Sequence, residues 1–155
     1  MQPNLARIPA DGDADAKAIL KLARGGVTAD LLGCMVRRDC IALGSYATRQ
    51  VTVALREGSA VRLRAALFAK ALGDAAAPDG DQRDDMIGLA LFHVVARQVG
   101  LVPSELFNET ASRLPDGPVP DLLRVFGARQ DVTLEAFGWE LVQTPDGPDF
   151  VPAPW

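Results

Sequence analysis

Histidine, cysteine and long apolar runs are what this chain of 155 residues has least of. It holds one histidine, His93, and two cysteines, Cys34 and Cys40. Structural zinc usually takes four Cys or His ligands and catalytic zinc three protein ligands, so the ligand count excludes both. Two cysteines are too few to staple a small secreted fold. No charged stretch followed by an apolar run opens the chain, and no segment reaches the roughly 18 uncharged apolar residues of a membrane span. Even the most apolar stretch, 86–99, is interrupted by His93 and Arg97. The expectation is a cytoplasmic protein with no membrane contact.

Phosphate cradles and catalytic elbows are missing as well. Gly25 and Gly26 lack the further glycines and the Lys-Ser/Thr of a P-loop, and no glycine pattern follows a strand-like segment. No Gly-x-Ser-x-Gly elbow occurs. Asp11, Asp13 and Asp15 imitate the opening of a calcium loop. The sixth position, however, is Ala16 where glycine is needed, and the twelfth is Leu22 where a bidentate Glu belongs. Counted from Asp79, the same positions hold Asp84 and Ala90. Asp84/Asp85 and Glu105/Glu109 fit helix starts and solvated faces. No residue is assigned a catalytic, cofactor or metal role, and no cofactor is expected.

What is present suits a packed helical core. Hydrophobic residues make up 48% and charged residues 23%, which argues against disorder. Arg and Asp outnumber Lys and Glu and Ala is abundant, as in proteins of GC-rich bacterial genomes. The stretch 1–12 reads as a loose arm, with one helical domain over 13–155. A first helix is expected over 13–24, stopped by Gly25 and Gly26. A second, capped by Thr28, aligns Leu31, Leu32, Met35 and Val36 on one face. Two further helices are expected to break at Gly58 and Ser59, although the alternating residues at 51–55 and 61–65 also admit a hairpin. In the later of the two, Val61, Ala65, Phe68 and Leu72 form a stripe. Gly73 ends it, and 74–80 reads as a turn-rich loop. Asp81 or Asp84 then caps a helix apolar nearly all round, which implies neighbours on several sides. Pro103 suits the first turn of the next helix. The stretch 114–120 reads as a linker, followed by a short helix over 121–128 and a turn over 134–137. A hairpin over 139–151 turns at Pro145, Asp146 and Gly147, laying Trp139, Leu141 and Phe150 over the helices.

The fold class is thus mainly α: an irregular helical bundle or HEAT-like helix stack with a small C-terminal β-hairpin. The loose helix-pair rhythm resembles HEAT-like repeats, without a fixed period, and such architectures are mostly binding scaffolds. The run Leu134, Glu135, Ala136, Phe137, Gly138 and Trp139, with its Thr-Pro-Asp-Gly-Pro turn, is similar to segments of uncharacterised actinobacterial helical proteins. That resemblance covers about the last third of the chain and implies no chemistry.

A net charge of −4 argues against general nucleic-acid binding, which needs a dense positive field. The charge is nonetheless uneven. Residues 1–78 hold 11 basic and 7 acidic side chains, a surplus of +4, whereas residues 79–155 hold 5 and 13, or −8. A helix-turn-helix placed with Gly44 at its turn puts Asp39 and Gln50 where apolar packing is needed, and one placed on Gly33 again misplaces Asp39.

These features point to a non-enzymatic protein–protein interaction module: an adaptor, regulator or immunity-type protein. Another protein is the expected partner, and opposite charge on the two halves also suits a homo-oligomer. Arg37, Arg38, Arg49, Trp139 and Trp155 are the candidate interaction surface. His93 is expected inside the most buried helix. The alternatives are a DNA-associated regulator using the basic N-terminal half, and a small-molecule-binding or hydrolytic protein with His93 in a cleft beside Cys34, Cys40 or Tyr46.

Overall fold

The computed structural model of the protein describes residues 7–77 and 82–153, with side chains over 13–77 and 87–153. Helix α3 (Arg37–Glu57) hands over to α4 (Ala60–Ala76) at the expected break. Gly58 closes α3 with a left-handed φ of 64°, a conformation costly to any residue with a Cβ. Ser59 then caps α4, its hydroxyl oxygen accepting from the Arg62 backbone N–H at 3.1 Å. The helical reading of 51–65 therefore holds over the hairpin.

Around this pair run α1 (Arg7–Ala23), α2 (Ala29–Cys34), α5 (Gln82–Gln98), α6 (Pro103–Ala111) and α7 (Pro118–Gly127). A 3-10 turn over Glu135–Phe137 leads into β1 (Trp139–Thr144) and β2 (Gly147–Pro152). The molecule is mainly helical, with a small antiparallel hairpin at its C-terminal end. α3 packs on α1 and α4, α6 pairs with α7, and α5 touches α3, α4, α6 and α7. This is an irregular bundle in which α4 also touches α2, α6 and α7.

Several boundaries differ from expectation. α1 begins at Arg7, so 7–12 is helical and not part of a loose arm; Pro9 stands in its first turn, where its missing N–H costs no helical hydrogen bond. α4 continues past Gly73 to Ala76, because that glycine is buried against the Cys40 carbonyl and Leu43 of α3. α7 starts at Pro118 instead of 121, with Pro118 and Pro120 in the first turn of the helix instead of in a linker. Asp84 is inside α5, and Asp81 falls outside the described residues.

The buried face of α4 is Leu63, Ala66, Leu67, Ala71 and Leu72, together with Phe68. Val61, expected on that face, is 75% exposed. On α2, Leu31 and Leu32 are half-covered, as is Met35 just beyond it, while Val36 is exposed, so the expected face forms only in part. Thr28 caps α2 as anticipated, accepting from Leu31 N–H at 3.1 Å. Asp39 occupies the third position of α3, where its carboxylate accepts from the Val36 N–H at 3.0 Å. Each fully buried leucine or phenylalanine contributes about 1.5–3 kcal/mol. Phe107 and Phe126 bring α6 and α7 together with ring centroids 5.9 Å apart.

Pro145 and Asp146 form the two-residue turn of the hairpin, with Thr144 paired to Gly147 and Leu141 to Phe150. Two anchors fasten it. The Trp139 indole N–H donates to the Ile87 carbonyl on α5 at 3.1 Å, and Arg56 on α3 donates to the Pro148 carbonyl at 2.9 Å. Trp139 and Phe150 pack against the core as expected, whereas Leu141 stays exposed.

Candidate functional site

A groove lies between α3 and α5, with Lys70 of α4 and Trp139 of β1 also in its walls. It has a volume of about 540 Å³, within the usual range for binding sites. Small residues make it: Gly44 and Ser45 on α3 and Gly88 on α5 line it where larger side chains would fill it. Ile41, Leu91, Phe92 and Trp139 give apolar walls. Lys70 lies along the Gly88 side, 15% exposed, with Nζ 2.9 Å from Asp74. Arg49 lines the groove from α3 and is ion-paired to Asp13 of α1.

Two of the five surface candidates, Arg49 and Trp139, therefore meet in one concavity although 90 positions separate them. Arg37 and Arg38 stand exposed at the start of α3, a turn before Ile41. Arg38 reaches Asp15 at 3.2 Å. Trp155 lies outside the described residues. Ile41 and Lys70 were missed by sequence reasoning; the spacing Arg37, Ile41, Ser45 and Thr48 along one side of α3 was the available signal.

Among the described residues of the N-terminal half, three further arginines are ion-paired. Arg56 meets Asp149, Arg62 meets Glu57, and Arg64 meets Glu109. Gly44 sits within the unbroken helix α3, so no helix-turn-helix turn exists there.

His93 is 2% exposed and carried by α5, buried as expected. Its ring packs edge-on to Phe107 and Phe126, at 5.8 and 5.7 Å between centroids. Nε2–H donates to the Arg129 carbonyl at 3.0 Å, which fixes the tautomer and leaves Nδ1 a bare acceptor with no partner. An unmatched buried acceptor of this kind costs about 1–3 kcal/mol. Burial pushes the imidazole below its ordinary pKa; the carbonyl of Arg129 opposes this, and the positive charge of Arg97 reinforces it. No carboxylate or thiol makes a hydrogen bond to the ring. The cysteines are free: Cys34 is exposed, and Cys40 is half-buried with its thiol pKa raised, chiefly by burial and then by Asp39 and Asp74.

A smaller cleft of about 300 Å³ adjoins His93, bounded by the end of α5, the start of α6 and the residues after α7. Among the described residues, no group of His, Cys, Asp or Glu side chains is arranged to hold a metal ion, and no helix is long and apolar enough to cross a membrane. No family model, curated protein or solved structure matches the chain.

Proposed function

We propose that the protein is a cytoplasmic, non-enzymatic helical interaction module that binds another protein along α3 and the groove beside it. The observation that carries this reading is Ile41. It is 56% exposed and forms part of the groove wall, and Val36, the N-cap of the same helix, is 59% exposed. An apolar groove with an exposed apolar residue in its wall is what an amphipathic helix from a partner covers. Arg37 and Arg38, exposed at the start of α3, favour acidic residues at the edge of that helix.

A photo-crosslinking residue at exposed Ser45, introduced in the native host, tests the proposal. A discrete protein adduct is expected, and Ile41→Asp should reduce its yield by about fivefold or more without changing the melting temperature. Absence of an adduct, or an adduct indifferent to Ile41→Asp, overturns it.

A further inference from the structure

The two edges of the C-terminal hairpin differ in what covers them. Pro145 and Asp146 form a two-residue turn, so Thr144 and Gly147 exchange backbone hydrogen bonds, and the exchange recurs at every second pair. The Ala153 N–H, which donates to the Gly138 carbonyl at 2.9 Å, follows the same alternation. The backbone groups of residues 139, 141 and 143 therefore point away from β2, and those of 148, 150 and 152 point away from β1. The β2 edge is closed. Pro148 and Pro152 have no N–H, the Phe150 N–H donates to the Asp149 carboxylate at 2.8 Å, and the Pro148 carbonyl accepts from Arg56. The β1 edge is open. Trp139 gives its N–H to the Leu134 carbonyl at 2.9 Å, but the N–H and C=O groups of Leu141 and Gln143 have no partner among the described residues. Both residues are exposed. Natural proteins close their strand edges with prolines, charges or covering elements, so an edge left open beside a closed one is a docking strand.

We infer that the outer edge of β1 binds an extended, basic peptide segment of another protein as a third strand. The main-chain groups of Leu141 and Gln143 supply the attachment, as in other cases of strand addition. Charge selects the occupant. Glu140 in β1 and Asp146 at the turn are exposed, and neither carboxylate is in an ion pair among the described residues. Arg56, the cation that touches the hairpin, stands at the other edge, where it meets Pro148 and Asp149. A lysine or arginine opposite Glu140 gains a cross-strand pair, and an acidic residue there is repelled. A second copy of the chain would bring its own Glu140 and Asp146 to this edge, which disfavours pairing of β1 with itself. The edge is also distinct from the α3/α5 groove, to which β1 contributes Trp139.

The inference is independent of the groove reading and is tested on the full chain by NMR titration with the peptide acetyl-Lys-Thr-Val-Val-Lys-amide. Two comparison peptides separate its causes: one N-methylated at its second and fourth residues, which removes main-chain donors, and one with glutamate in place of both lysines. Saturable shifts and slowed hydrogen exchange are expected at the amides of Leu141 and Gln143, with Ser45 and Gly88 in the groove unmoved. The N-methylated peptide should bind about fivefold more weakly or worse. Gln143→Pro repeats on β1 the device of its cross-strand neighbour Pro148 and removes an outward donor. It should weaken binding about fivefold or more while the amide signals of α4 persist. Glu140→Lys should reverse the preference, so that the glutamate peptide binds better than the lysine peptide. No saturable shift at Leu141 and Gln143, equal binding of the N-methylated peptide, or a preference for lysine that survives Glu140→Lys would each overturn the inference. Shifts of the same amides on raising the protein concentration without peptide would assign the edge to a second copy and overturn it too.

Discussion

His93 and Arg129, 36 positions apart, are joined by a hydrogen bond of 3.0 Å from imidazole Nε2 to backbone carbonyl. One turn further along α5, Arg97 takes the Val132 carbonyl in the same way. Two side chains on α5 thus hold the segment that follows α7.

This bond has a pH signature. Burial holds the folded imidazole below its ordinary value, while the unfolded chain protonates near about 6.5. Between those two points the unfolded state binds the extra proton, so stability falls as pH falls through that window. The positive charge of Arg97 adds to the effect of burial, the backbone carbonyls of Arg129 and Gly127 oppose it, and Asp131, which feels the imidazole electrostatically, spends its hydrogen bonds on Arg129. Urea denaturation at several pH values should show a shallower decline in His93→Gln than in the parent protein between about pH 7 and pH 5. Equal slopes would locate the pH dependence elsewhere.

Two glycines should respond oppositely to alanine. A Cβ on Gly127 would come within 2.5 Å of the Phe107 Cβ, an atom fixed close to the α6 backbone. Gly127→Ala should therefore destabilise the protein by about 1–3 kcal/mol. Gly44 lies mid-helix with nothing within 4 Å of the same position, so Gly44→Ala should stabilise it by about 0.4–1 kcal/mol. Chemical denaturation of both variants checks the contrast in sign.

Ser59 acts as the cap of α4 through its hydroxyl oxygen. Ser59→Ala should cost about 1 kcal/mol, and Ser59→Gly only a few tenths. If the two variants unfold at the same denaturant concentration, the cap is not what starts α4.

Trp139→Phe keeps an aromatic ring in the groove but deletes the indole donor to Ile87. A loss of about 0.5–1.5 kcal/mol is expected. Faster hydrogen exchange should appear in β1 and β2, with the amides of α4 unchanged. Uniform acceleration across the molecule would mean that the hairpin is not separately anchored.

Where a single residue type dictates backbone geometry, the fold was legible in the sequence. The Gly58/Ser59 break, the Thr28 cap and the Pro145/Asp146 turn are examples. The burial of α5 was legible too, because apolar residues surround it. The stripe on α4 was not, since an alanine-rich helix allows two stripes to be drawn and only packing against α3 selects Leu63 and Leu67 over Val61. Prolines 9, 118 and 120 misled for a different reason: proline stops a helix in its interior but is tolerated in its first turn. Arg49 and Trp139 were singled out separately, yet the groove that unites them depends on long-range packing and on Gly44 and Gly88, whose contribution is the space they leave. Nothing local in the sequence announces the cleft at His93, which is assembled from the ends of three helices.

The hairpin rests one foot on α3, through Arg56, and the other on α5, through Trp139. A brace fixed to both banks keeps the channel between them at a set width. Slackening either foot should let the banks drift, so a change at Arg56, which is not among the lining residues, would alter what fits inside.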